Sequence, residues 1–339
     1  MIIFHTSDLH LDSKLQTILS VDEAEKFNAN LMQTFQTICK NAIKENAEVI
    51  IIAGDLFDGK NVNANVLNRI KKVIEKCINI LFIYVYGNHD FDERKNIFED
   101  FSENFVVLKK GESLTKEDVT FYSYSENIPI FNADSYNVVI GHGEVGNYET
   151  QNKDIISLPL VRNKNVDYLA LGHYHDFKLD DLDKRGKYAY CGCPAGRGFD
   201  ECGQKGYVKL DTVSRTVKFE PLENPLFIIE NFNITGISIF DLEEEMRNRL
   251  AYPPNSLVRA VITGKIQNEE QTDFSYIKNY FESTFLYFEI INETEIDYDV
   301  LINKGDFSLK NEFLKVVKAH GDEFEKEIIE KGLKLLNEN

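Results

Sequence analysis

The chain has 339 residues, 43% of them hydrophobic, with 24 Phe and 16 Tyr, enough to bury one large or two modest cores and to exclude global disorder. Its 56 acidic residues against 38 basic ones leave a net charge of −18, which opposes nonspecific binding to nucleic acid, because that affinity comes largely from cations on phosphates. No window approaches about eighteen uninterrupted apolar residues, so no membrane span is expected. Five cysteines in such a chain are no disulfide scaffold, and Met1 to His10 carries no secretory signal, so a cytoplasmic location is expected.

Ile2-Ile3-Phe4 is a short apolar run ending at Ser7-Asp8, and Asp22 to Asn46 reads as a helix, with Leu31, Phe35, Ile38 and Ala42 on one face. Val49 to Ala53 is a continuous apolar strand, Val66, Ile70, Val73 and Ile74 mark a second amphipathic helix, and Ile80 to Tyr86 is another buried strand. Strand, helix and strand with unbroken apolar strands predict parallel βαβ units covered by helices. From Phe105 short strands follow closely: Phe105–Leu108, Val119–Ser123, Asn137–Ile140, Tyr168–Leu171, Tyr188–Cys191, Tyr207–Leu210 and Thr216–Phe219. They suit a second sheet packed on the first. A break at Pro221–Pro225 sets the expected domains at 1–222 and 223–339. In the second, Phe240–Leu250, Tyr276–Phe285, Leu309–Ala319 and Glu323–Leu336 read as helices and Leu257–Ile262 as a strand, a small α+β unit. From Pro225 onward there are 22 acidic and 12 basic residues, so acidity is denser there.

Five of the seven histidines follow or end apolar strands, in Asp8-Leu9-His10, Gly87-Asn88-His89-Asp90, Gly141-His142-Gly143 and Gly172-His173-Tyr174-His175. Gly54-Asp55-Leu56-Phe57-Asp58 adds a carboxylate at a matching strand end. Ligands of open α/β sheets gather at the carboxyl ends of strands. Each block alone is commonplace; their joint occurrence, each after an apolar strand, is not. Asp8, His10, Asp55, Asn88, His142, His173 and His175 form a mixed nitrogen and oxygen set too large for one tetrahedral zinc and suited to two ions sharing a carboxylate. Two ions about 3.5–4 Å apart can clamp the attacking and leaving oxygens of phosphoryl transfer and acidify a bridging water to hydroxide. Alternation along extended chain would put Asp8 and His10 on one side, and likewise His173 and His175.

These blocks resemble the signature of the calcineurin-like metallophosphoesterases: D-x-H, GD-x-x-D, GNH(D/E), a later H, and GH-x-H. The resemblance implies a four-layer α/β/β/α sandwich. It implies one ion on Asp8, His10, Asp55 and His175 and another on Asp55, Asn88, His142 and His173. His89 would face the scissile phosphate, stabilising the transition state or protonating the leaving oxygen, with Asp90 orienting it. The flanks are similar to the SbcD/Mre-type DNA-repair exonucleases: His5-Thr6-Ser7-Asp8-Leu9-His10-Leu11, Gly54-Asp55-Leu56-Phe57-Asp58, Tyr190-Cys191-Gly192-Cys193-Pro194, Phe199-Asp200-Glu201 and Lys205-Gly206-Tyr207. That similarity implies a Mn-dependent DNA nuclease, with Fe, Zn or Mg as other metals, a small C-terminal cap domain and an SMC-like ATPase partner of SbcC type. Asp12 stands where that family has Gly and Cys193 where it has Ser, which touches substrate identity and removes no ligand.

The remaining features read as structural. Cys191, Cys193 and Cys202 lack the C-x-x-C spacing of zinc sites. Gly192–Gly206 lacks P-loop order, and His5 packs within a strand. His320, Lys71-Lys72 and Lys109-Lys110 belong to solvated faces, and the aromatic run from Tyr276 to Phe288 is core. A face holding Val66, Ile70 and Val73 either packs on the sheet or joins a homodimer. Two other functions stay open: a small-molecule phosphodiesterase or phosphatase on the same fold, and a scaffold without activity.

Overall fold

The computed structural model describes residues 1–13, 21–59, 62–90, 97–148, 155–267, 273–298, 302, 308–321 and 324–337. They divide into two compact units, Met1–Phe227 and Ile228–Asn339. The first begins with β1 (Ile2–Thr6), α1 (Val21–Lys44), β2 (Val49–Ala53), α2 (Ala64–Lys76), β3 (Leu81–Val85) and β4 (Phe105–Val107). It continues through β5 (Ser113–Lys116), β6 (Val119–Ser123), β7 (Tyr136–His142), β8 (Glu144–Gly146), β9 (Ile155–Ser157), α3 (Leu158–Val161) and β10 (Tyr168–Gly172). It closes with β11 (Lys178–Asp181), β12 (Lys187–Tyr190), β13 (Gly206–Asp211) and β14 (Thr216–Pro221).

One six-stranded sheet has the order β14-β13-β1-β2-β3-β4, the other β11-β12-β10-β7-β6-β5. Strands β1 to β4 pair in parallel, as do β6, β7, β10 and β12. Period-two alternation sorts each strand between two cores. Phe4, Ile50, Ile52, Phe82 and Tyr84 meet Phe35, Ile38 and Ala42 of α1 and Ile70 and Ile74 of α2. Ile3, Val49, Ile51 and Ile83 meet Phe121, Val138, Ile140, Tyr168 and Ala170 of the other sheet. The outer face of that sheet, with Val139, Leu169 and Leu171, is covered by Leu158 and Val161 of α3 and by Ile128 and Phe131. The layers are therefore α/β/β/α, with a thin fourth layer among the described residues. Both faces of the inner strands are dry, which is why their sequences run unbroken in apolar residues.

The second unit holds a sheet of β15 (Phe227–Asn233), β16 (Leu257–Ile266) and β17 (Tyr287–Ile296), in that order, with α4 (Ile239–Arg249), α5 (Ser275–Glu282), α6 (Leu309–His320) and α7 (Glu325–Asn337). A capping box of Ser238 and Asp241 opens α4. Leu314, Val317 and Ile329 pack α6 on α7. The aromatic run splits: α5 ends at Glu282, and Tyr287 starts a strand paired in parallel with β16 over ten residues. Phe281, Phe285 and Phe288 are buried whereas Tyr276 is 69% exposed, so only part of the stretch is core; its aromatic residues fit either period and the pairing partner decided. The strands not anticipated from sequence include β5 and β11, both edge strands with little apolar content. Their order comes from a neighbour across the ladder. Among the described residues no helix is long and apolar enough to cross a membrane.

Candidate dimetal site

Asp8 and His10 follow β1, Asp55 follows β2, Asn88 and His89 follow β3, His142 ends β7, and His173 and His175 follow β10. The sheets are registered so that these ends meet. The backbone does not remain extended there. Asp8, His10, Asp55 and His173 adopt φ of 50°, 41°, 50° and 112°, left-handed conformations that cost about 1–3 kcal/mol each and persist only where the surroundings impose them. The two-residue spacings thus converge through sharp turns rather than through strand alternation. The turns are held by backbone bonds that continue β1 against β2: Asp8 N–H to Gly54 O at 3.2 Å, His10 N–H to Asp55 O at 3.1 Å and Leu11 N–H to Leu56 O at 3.0 Å. Two glycines are required by close approach. A Cβ on Gly87 would lie 2.1 Å from Asp55 Oδ1, and one on Gly172 would lie 2.0 Å from Ala53 O.

Asp55 lies between two histidine sets. Its Oδ2 is 3.8 Å from His10 Nε2 and 3.3 Å from His142 Nε2, and its Oδ1 accepts the His89 N–H at 2.9 Å. His142 Nδ1 is 2.9 Å from Ala53 O, so that nitrogen donates, and Nε2 is directed at Asp55 and at Asn88 Oδ1, 2.7 Å away. Burial favours neutral His142, but the Asp55 carboxylate outweighs it and the ring is pushed up to about 9. Burial would likewise raise Asp55, and His142 with His10 holds it below its usual range. Asp8 accepts the His173 N–H at 3.1 Å and lies 3.6 Å from His175 Nε2. Burial, then the neighbouring His142, lowers His173.

The orienting carboxylates were not assigned from sequence. Glu201, 4% exposed, lies 2.7 Å from His175 Nδ1 and accepts from Arg197 Nη2 at 2.6 Å and the Arg197 N–H at 2.7 Å. Its own burial is overcome by His175 and Arg197, and its carboxyl is held far below the usual range. Asp58 Oδ1 lies 3.0 Å from His10 Nδ1 and 3.4 Å from His89 Nδ1; contact with His10 above all holds Asp58 at about 2. Asp90, expected to orient His89, instead accepts the backbone N–H groups of Leu56, Phe57 and Gly87, and burial raises it. It ties the Gly87–Asp90 turn to the Gly54–Asp58 turn. The signals for the other two were the last position of Gly-Asp-x-x-Asp and the Phe199-Asp200-Glu201 block.

Buried His5 bonds Tyr168 Oη at 2.8 Å, and burial pushes it down to about 3. Cys191 and Cys193 are buried thiols, the first 3.0 Å from Ser7 Oγ. Asp12 Oδ1 accepts the Asp58 N–H at 2.8 Å, so it braces the turn at the mouth.

These residues fit divalent cations on two counts. His10 is 1% exposed with its Nδ1 on Asp58 Oδ1 at 3.0 Å, while its Nε2 has no hydrogen-bond partner among the described residues, an expensive state for a buried polar atom with nothing else to bind. Donor atoms of Asp8, His10 and His175, and of Asp8, Asp55 and His142, also converge within 4.8 Å. Imidazole and carboxylate together suit first-row divalent metals.

A two-sheet sandwich with such donors at the carboxyl ends of parallel strands defines a metal-dependent phosphoesterase. Residues 1–177 match the family model described as calcineurin-like phosphoesterase, and the chain belongs to that family. It is 21% identical over 307 residues to the DNA double-strand break repair protein Mre11 of Methanosarcina acetivorans, covering 82% of this chain and 48% of that protein. It is 24% identical over 246 residues to the uncharacterized metallophosphoesterase YhaO of Bacillus subtilis, covering 64% and 58%. The chain thus spans about half the length of these curated relatives. A dimetal phosphatase from Danio rerio aligns at 9% identity with a TM-score of 0.42, over 61% of this chain and 91% of that one.

Proposed function

We propose that the chain hydrolyses phosphodiester bonds, with one ion on Asp8, His10, Asp55 and His175, a second on Asp55, Asn88, His142 and His173, and DNA as substrate. The observation that carries the reading is Asp55, buried between His10 and His142, where a shared ligand belongs. Bound divalent ions would supply Lewis acidity to the phosphoryl group and acidify water. The protein supplies orientation. Ala53 O fixes the His142 tautomer, Glu201 that of His175, and Asp58 faces both His10 and His89. His89 is 46% exposed at the mouth, and its Nε2 would carry the proton given to the leaving sugar oxygen.

The similarity to a protein named for DNA double-strand break repair supports DNA as the substrate, and manganese is the metal proposed for the two sites. The net charge of −18 predicts weak DNA binding by the chain alone, which supports reliance on an SMC-like ATPase of SbcC type. The second unit is assigned an accessory, cap-like role. The same acidity favours one alternative, a small-molecule phosphodiesterase or phosphatase on this site. The test is cleavage of linear duplex by the manganese-loaded chain, with and without the ATPase, beside a nitrophenyl phosphodiester. Hydrolysis of the ester with DNA intact throughout refutes the nuclease reading and leaves the alternative.

A further inference from the structure

Two carboxylates face the imidazoles of the site, Glu201 at His175 and Asp58 at His10 and His89, and they come from segments 143 positions apart. Arg197 reaches both. It stands in Gly196-Arg197-Gly198, a turn closed by the Glu201 N–H on Gly198 O at 3.0 Å. The turn is tight, since a Cβ on Gly196 would lie 2.7 Å from Glu201 O. It folds Arg197 back on the Glu201 carboxylate, which accepts the Arg197 N–H at 2.7 Å, Nη2 at 2.6 Å and Nε at 3.1 Å. The remaining nitrogen, Nη1, lies 3.7 Å from Asp58 Oδ1, the oxygen that also meets His10 Nδ1 and His89 Nδ1. Among the described residues no other Lys or Arg pairs with either carboxylate. The rings they hold are packed together, His10 edge-on to His89 at 5.1 Å and to His175 at 5.6 Å. Two more anions beside Asp8 and Asp55 would repel one another without a cation among them.

We propose that Arg197 is a positioning residue that couples the two orienting carboxylates. One guanidinium holds Glu201 on His175 and Asp58 on His10 and His89, so two candidate metal ligands and the histidine at the mouth are set together. The inference rests on the phosphodiesterase reading for what His89 does, and on the donor geometry alone for the metal. Arg suits this place and Lys does not. A planar guanidinium carries donors on three nitrogens at fixed angles, whereas an ammonium is a point charge that aligns with one carboxylate at a time. The bonds of Arg197 go to the carboxylates, so it acts through them.

The test compares the full-length chain with Arg197→Ala and Arg197→Lys, each stripped with chelator and titrated with manganese by calorimetry. Loss of a partner behind the ligands predicts manganese affinity about 10–100-fold weaker in Arg197→Ala. Partial unfolding would instead lower the number of sites per chain and leave their affinity unchanged. Arg197→Lys keeps the charge and loses the fork, so its affinity should also fall below wild type. At saturating manganese, kcat of Arg197→Ala on a nitrophenyl phosphodiester should drop about tenfold or more while KM stays within twofold, because Arg197 is engaged with carboxylates and not with substrate. Coupling itself is read from Asp58→Asn and Glu201→Gln. With Arg197 present, the loss of manganese affinity in the double variant should differ from the product of the single losses by about twofold or more; in the Arg197→Ala background the losses should multiply. Wild-type affinity in either Arg197 variant, or single losses that multiply with Arg197 in place, overturns the proposal. A wild type that binds manganese and hydrolyses no diester overturns the functional reading instead, and the affinities still judge Arg197.

Discussion

Glu201→Gln removes one charge from the shell around the site and keeps the side-chain volume. Glu201 is buried, lies 2.7 Å from His175 Nδ1 and holds Arg197 through Nη2 at 2.6 Å. A glutamine has one acceptor oxygen for both, so the His175 tautomer is no longer dictated and Nε2 is no longer held toward Asp8, 3.6 Å away. Loss of such an orienting carboxylate typically costs about 10–100-fold in metal affinity, or about 1.4–2.7 kcal/mol. Without metal the substitution also strands Arg197. Removing one partner of a buried pair costs about 3–5 kcal/mol, and the nearby Asp58, 3.7 Å from Arg197 Nη1, keeps the effect at the lower end. Because the Glu201 carboxyl is held low, its contribution is present above the ordinary carboxylate range and is lost as pH falls; the variant should have a flatter acid limb. Manganese calorimetry on chelator-stripped protein, with urea unfolding of the same samples, measures both effects. Metal affinity within twofold of wild type in a folded variant refutes the orienting role.

His89→Asn should lower turnover by about 10²- to 10⁴-fold with metal content unchanged by elemental analysis; unaltered turnover contradicts the acid role. Gly172→Ala places a Cβ 2.0 Å from Ala53 O and 2.7 Å from His142 Nδ1, so it should destabilise the fold by about 1–3 kcal/mol and weaken metal binding; a wild-type melting temperature would show that the strand ends can separate freely. His5 stays neutral in the fold, at about 3, whereas the unfolded chain takes up that proton below about 6.5. Stability is therefore lost as pH falls, by about 2 kcal/mol between pH 7 and 5 from this group. The difference in urea stability between wild type and His5→Gln should shrink by that amount, and a pH-independent difference refutes it.

The family and the candidate donor set were legible because they depend on residue identity and order. Few arrangements other than strand ends closing on cations call for Asp8, His10, Asp55, Asn88, His142, His173 and His175 beside so many glycines. The central strands were legible for a similar reason: burial on both faces forces unbroken apolar runs such as Val49 to Ala53. Edge strands such as Lys178–Asp181 were not, because a ladder partner and not a side-chain pattern orders them.

What tertiary structure alone decided lies in contacts between segments far apart in sequence. Adjacency suggested Asp90 as the partner of His89, but folding turns Asp90 to three backbone amides and brings Asp58 to 3.4 Å from the imidazole. Glu201 meets His175 across 26 positions of chain, a pairing no local spacing encodes. The left-handed turns at Asp8, His10 and Asp55 are imposed by β1 and β2 zipping past their own ends, a strain tolerated only once both strands are in register. Lys109 and Lys110 are exposed, as their neighbours in sequence implied, and only the facing sheet sets them at the edge of a cavity that also reaches His142. Chemistry is written in residue types; which groups share a proton, a cation or a pocket depends on which strand ends the two sheets bring together.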